Sequence, residues 1–212
     1  MMQAVYEFAM LIACLIAVPL GIILARSETR LLKTIVMGIV NVIQPIPSLA
    51  FVALTAAGFV LFNEYIARRQ VLPTIGLVPG LVALVAYALL PILRNTFTGI
   101  QQVDASVKEV ARGMGMKPMQ VLFSVELPLA LPFIMAGIRI STVWTIGIAT
   151  LVSLVGAGGL GDLIFRGLSN YRTGLILAGA VPSVILALCF DWLLGWLEKW
   201  LSPHGAQEPS PM

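Results

Sequence analysis

Five long apolar stretches separated by shorter polar segments set the pattern of this chain. Residues Phe8–Ala25 form an apolar run of 18, and Thr34–Phe62 carries no charged residue over 29 positions. Further apolar stretches cover Gly76–Leu93, Leu131–Val155 and Gly174–Leu197. A helix needs about 20 mainly apolar residues to cross the hydrocarbon of a bilayer. Four of these stretches have the length of one crossing. The stretch starting at Thr34 is too long for one, and Gln44-Pro45-Ile46-Pro47-Ser48 interrupts it. Proline removes a backbone donor and biases the residue before it away from helix. The pattern therefore predicts a helix over Leu31–Ile43 lying partly in or along the membrane. A spanning helix follows from Ser48 to near Phe62. Five crossings result, or six if Leu31–Ile43 spans fully.

Composition agrees with this reading. The chain has 212 residues, 59% hydrophobic and 11% charged. Soluble domains carry about a quarter charged residues, so this surface suits lipid rather than water. The expected organisation is one membrane domain over residues 1–201 and a loosely ordered polar tail over 202–212. No cleavable leader is expected, because Glu7 rather than a basic cluster precedes the first apolar run. The net charge of +3 is small and the basic residues form no stripe, which argues against nucleic acid. Cys14 and Cys189 sit in apolar runs and read as small hydrophobes. No metal-binding spacing exists, and the single histidine, His204, lies in the tail.

Charge placement predicts orientation. With the N-terminus outside, Arg26, Arg30, Lys33, Arg94, Lys108, Arg112, Lys117 and Lys199 face the cytoplasm. Arg68, Arg69, Arg166 and Arg172 face outside, so the count is eight against four. The C-terminus is then cytoplasmic. No internal repeat is visible. The 19 glycines read mostly as close helix packing, as small residues do in membranes.

The polar segment from Arg94 to Pro128 carries the most information. Asp104 to Arg112 reads as a short helix, with Asp104 or Ser106 as its cap. Val107, Val110, Ala111 and Met114 share one face. Gly113 and Gly115 stop it. A second short helix is expected over Pro118–Val125, after which Leu127-Pro128 turns the chain back into the membrane. Geometry alone leaves two readings open: an amphipathic helix resting at the interface, or a docking knob.

The residues of this loop resemble a known pattern. Glu109-Val110-Ala111, Gly115, Val125 and Leu127-Pro128 are similar to the E-A-A, G, I-x-L-P loop of binding-protein-dependent ABC importers. Valines at 110 and 125 replace alanine and isoleucine. The segments QPIPSL (44–49), YALLPILRNTFTG (87–99), GMGMK (113–117) and GAGGLGDLIFRG (156–167) resemble permease subunits of glycine betaine/carnitine/choline importers. The resemblance implies an all-α integral membrane protein of the type I importer permease fold, in a bacterial inner membrane. It implies that the loop is a coupling helix seated in a cytoplasmic ATPase. Glu109 would be the polar contact, Ala111 stays small for close docking, and Gly115 sets the turn. It also implies a pair of partner ATPases, a second permease copy or paralogue, and an external substrate-binding protein. The chain lacks G-x-x-x-x-G-K-[ST], so any ATP is used by partners and no cofactor is expected on this chain. No catalytic role is expected.

Other residues offer weaker leads. The glycines of Gly156–Gly161 follow no strand, so they read as an external turn rather than a nucleotide loop. Asp162 and Arg166 are spaced for a helical ion pair, or for contact with a docking binding protein. A quaternary ammonium donates no hydrogen bond from its nitrogen and is held by aromatic faces. Tyr87, Phe133, Trp144 and Tyr171 are candidates, with Trp144 and Tyr87 foremost as lining of a substrate path. Trp192, Trp196 and Trp200 read as an interfacial belt. Arg139 is an ionisable residue at membrane depth, expected to snorkel towards the cytoplasm. Alternatives to osmoprotectant import are a methionine-type amino-acid importer, an ion-coupled carrier and a membrane scaffold. A carrier needs a mid-helix acid, for which Asp191 is the candidate.

Overall fold

The computed structural model describes residues 2–67 and 72–201. Arg68, Arg69, His204 and the tail from Ser202 lie outside them. The described residues contain no strand. Nine α-helices follow in order: α1 (Met2–Arg26), α2 (Arg30–Ile43), α3 (Ser48–Leu61), α4 (Leu77–Gln102), α5 (Ala105–Gly113), α6 (Pro118–Val121), α7 (Leu127–Val152), α8 (Leu160–Ser169) and α9 (Thr173–Leu201). Two π turns, Phe62–Ala67 and Leu122–Glu126, prolong α3 and join α6 to α7.

Five segments are long and apolar enough to cross a membrane: Glu7–Arg26, Ser48–Ala67, Leu77–Gln102, Pro118–Val155 and Thr173–Leu201. The expected fold class therefore holds. Helix α2 has 14 residues, about 21 Å at 1.5 Å each, and does not span, so five crossings stand rather than six. Its start is tied down by Lys33, which donates to the Ala25 carbonyl at the end of α1, 2.9 Å away. At its far end, Arg94 Nη1 donates to Gln44 Oε1 at 2.7 Å.

Helices α4 and α7 form the core, with α1 against α4 and α9 against α7 and α8. Small residues allow the close approaches. Ala9, Ala13, Ala17, Gly21 and Ala25 recur every four positions and form a ridge on α1; the three leading alanines are fully buried. A Cβ on Gly21 would fall 2.8 Å from Thr96 Cβ, and one on Gly137 would fall 2.7 Å from Asn95 Cβ. Ser141 adds a buried interhelical bond, donating to the Ala88 carbonyl at 2.7 Å. In lipid such packing and hydrogen bonding must hold helices together, because lipid tails are as apolar as leucine.

Two boundaries differ from the sequence expectation. Helix α4 does not stop at Leu93 but continues to Gln102, since its backbone ladder persists where the side chains turn polar. Leu127-Pro128 makes no turn. The chain runs as one helical rod from Pro118 to Val155. The Leu127 amide reaches the Leu122 carbonyl five residues back, and this wider turn takes up the missing donor and the ring of Pro128.

Candidate functional site

The loop between α4 and α7 folds into a knob at one end of the bundle. Asp104 caps α5: its carboxylate accepts from the Ser106 amide at 2.9 Å. That bond holds the Asp104 carboxyl below its usual range, with smaller help from the Ser106 side chain and Lys108. At the other end of α5, the Met116 amide donates to the Ala111 carbonyl and the Gly115 amide to the Arg112 carbonyl, at 3.2 and 2.9 Å. This crossed pair closes the helix around Gly115, whose φ is +84°, a conformation that side chains with a Cβ rarely adopt. The expected stop is thus at Gly115, while Gly113 is still helical. Gln120 accepts from the Lys117 amide at 2.8 Å and starts α6.

Three ties bind the knob to membrane helices. Lys108 donates to the Ile100 carbonyl near the end of α4, at 3.2 Å. Arg26, the last residue of α1, donates to the Pro118 carbonyl at 3.0 Å. The same guanidinium lies 3.6 Å from Glu126, a residue only 3% exposed in the π turn below α7. Arg26, Lys108, Arg112 and Glu126 thereby surround a small polar cavity at the base of the knob.

The expected site residues divide between two sides. Glu109 is exposed and makes no ion pair. Val107, Val110 and Met114 are exposed beside it, the last two by 62% and 67%, with Met119 and Phe123 nearby. Leu127 and Pro128 are half-buried within the rod. Ala111 differs from the expectation. It is buried inside its own chain, where α5 lies against α6 and the π turn, so its small size serves internal packing and not contact with a partner. The apolar face therefore splits: Ala111 points inward, and the remaining three residues form an uncovered apolar strip.

Elsewhere, Tyr87 is 9% exposed and sandwiched between Phe51 and Trp144, with ring centroids 5.7 and 6.3 Å away. It packs the core and reaches outward only through Trp144, which is 42% exposed. Phe133 lies over Gly99 and Tyr171 stands out at the α8–α9 turn. Asp162 and Arg166 form no ion pair. The glycine turn is tight: Gly156, Gly158 and Gly159 have positive φ, and the Gly76 amide donates to the Val155 carbonyl at 2.7 Å. Arg139 does not end in water. Its Nη2 donates to both Asp191 oxygens at 3.0 and 3.1 Å, its Nε to Asp191 at 3.1 Å, and its Nη1 to Glu198 at 3.0 Å. Gly195 lets the guanidinium lie along α9. Glu198 went unnoticed in the sequence, although it stands seven residues, two helical turns, after Asp191 on one face.

The family model of the binding-protein-dependent transport system inner membrane component matches residues 17–203. The chain belongs to this family. Choline transport system permease protein OpuBB of Bacillus subtilis is 46% identical over 199 residues, covering 94% of this chain and 84% of the relative. Carnitine transport permease protein OpuCB of Listeria monocytogenes is 45% identical over 202 residues, with the same coverage. Among solved structures, the inward-facing MetNI methionine ABC transporter superposes with a TM-score of 0.78 at 24% identity, over 94% of this chain and 92% of that one. That likeness shows the type I permease fold. The loop pattern read from Glu109 to Pro128 therefore sits in a permease of the expected family.

Proposed function

We propose that this permease is the membrane-spanning subunit of an ABC importer for quaternary-ammonium osmoprotectants, the class of choline, glycine betaine and carnitine. The observation that carries the transport mechanism is the knob. It presents an apolar strip and an uncommitted carboxylate, Glu109, and is tied at its base to α1, α4 and α7. Exposed apolar patches rimmed by polar groups suit protein partners. On this reading a pair of cytoplasmic ATPases grips Glu109, Val110 and Met114. Closure of the pair tilts the membrane helices as rigid bodies. Gly115 and the buried Ala111 keep the knob in shape, and the rod through Leu127 and Pro128 transmits its motion.

ATP is bound and hydrolysed by those partners, and this chain supplies no catalytic residue. A second permease, identical or paralogous, completes the path, and an external binding protein delivers the cargo. The excess of basic residues at the knob end supports a cytoplasmic knob, an outer N-terminus and an inner C-terminus. The cargo class rests on relatives named for choline and carnitine transport. Methionine is supported only by likeness of fold at 24% identity.

The test is uptake of labelled choline, glycine betaine, carnitine and methionine by cells expressing the complete transporter and lacking other importers of these solutes. Uptake of at least one quaternary amine and none of methionine is expected. Val110→Asp should abolish co-purification of the ATPase. Uptake of methionine alone would sink the cargo assignment. Full ATPase binding by both Val110→Asp and Glu109→Arg would sink the grip.

A further inference from the structure

Helices α7 and α9 enclose a cleft of about 410 Å³ lined by Arg139, Val143, Trp144, Leu188 and Asp191 among others. That volume is within the roughly 300–1,000 Å³ of small-molecule sites. The cleft lies at membrane depth. Arg139 is 12 residues past Leu127, about 18 Å along α7, and Asp191 is 18 residues, about 27 Å, into the 29-residue α9. The charged groups there are not enclosed by this chain: the Arg139 and Asp191 side chains are 33% and 41% exposed. Ionisable groups at such depth turn to a water-filled cavity or to protein, not to lipid. This face of α7 and α9 is therefore the face turned to the path or to the second permease.

The charges do not balance. One guanidinium meets two carboxylates, Asp191 and Glu198, and no other described cation pairs with either. One negative charge remains beside the half-exposed indole of Trp144. An indole face and an unbalanced carboxylate together match a cation that donates no hydrogen bonds. The indole is steadied from behind by Tyr87 and, through it, by Phe51.

We propose that the α7–α9 cleft is a transit site for the quaternary ammonium head of the cargo. Trp144 supplies the aromatic face, Asp191 the charge, and Arg139 positions Asp191. This rests on the osmoprotectant reading above. Because the cleft carries net negative charge, it favours choline, a net cation, over glycine betaine, whose carboxylate cancels its charge.

The test uses the complete transporter in proteoliposomes at saturating binding protein, with labelled choline and glycine betaine as probes. For Asp191→Asn, initial choline uptake should fall roughly three- to tenfold relative to wild type, the span that loss of one such contact allows. Glycine betaine uptake should fall less. Trp144→Leu should slow choline uptake by a similar factor and Trp144→Phe should largely restore it. Equal losses for both solutes would mean that the ion network only holds α7 to α9, and would overturn the proposal, as would unchanged rates. If Asp191→Asn does not assemble with its ATPase, the Trp144→Leu and Trp144→Phe pair decides alone. A wild-type transporter that moves neither solute would instead overturn the functional reading.

Discussion

At the residue scale, Gly115 is the position with one specific physical demand. Its φ of +84° is the whole of that demand, because a Cβ built there meets nothing within 4 Å. Substitution is thus opposed by backbone strain and not by crowding. A left-handed conformation costs a residue with a Cβ about 1–2 kcal/mol, and less for asparagine. Gly115→Val should weaken ATPase co-purification roughly tenfold, and Gly115→Asn should weaken it much less. Pull-down of the ATPase against the solubilised permease measures both. Equal effects would show that space, and not φ, is what matters. The demand at Gly115 was legible in the sequence, since a glycine after a short amphipathic stretch reads as a helix stop. The inward turn of Ala111 was not. Periodicity places Val107, Val110, Ala111 and Met114 on one face, but it cannot say that α6 and the π turn cover only one edge of it.

At the element scale, the five crossings were legible because hydrocarbon demands apolar length, a property of composition within each segment. Helix ends were less so. A backbone ladder ignores the polarity change at Leu93, and a π turn carries the chain straight through Leu127-Pro128. Pairing between distant elements was least legible: Arg139 meets Asp191 and Glu198 only because α9 returns beside α7, 52 and 59 residues later. The small ridge on α1, in contrast, was present in the sequence as five small residues four apart. Contact of α4 with α7 depends on the same device. A Cβ on Gly137 would press on Asn95 Cβ and, at 3.1 Å, on the Pro91 carbonyl. A backbone carbonyl cannot swing aside as a side chain does. Gly137→Leu should therefore destabilise the bundle by about 1–3 kcal/mol, as overpacking does. Thermal unfolding of the detergent-solubilised protein should show a clear downward shift. Gly147→Leu, where a Cβ meets nothing within 4 Å, serves as the control and should be close to neutral.

At the scale of the whole molecule, the question is how a push on the knob reaches the membrane. The described residues offer one continuous rod, Pro118–Val155, and one brace, Arg26. The rod alone would let the knob pivot about its π turn, where the ladder is widened. Arg26 opposes that pivot, because it holds the Pro118 carbonyl above the turn and faces Glu126 within it. It also belongs to α1, which packs along α4, so the brace joins three membrane helices to one motion. The apolar strip that meets the ATPase lies on the far side of the knob and does not include Arg26. Loss of the brace should therefore separate grip from transmission. In Arg26→Ala, Glu126 keeps its burial and loses its partner, a local cost of about 1–3 kcal/mol. ATPase binding should persist and ATP hydrolysis should continue, while cargo moved per ATP falls severalfold. Parallel measurement of hydrolysis and uptake in proteoliposomes reads that ratio directly. If binding, hydrolysis and uptake all fall together, Arg26 only stabilises the knob. If the ratio is unchanged, the rod transmits the stroke without a brace.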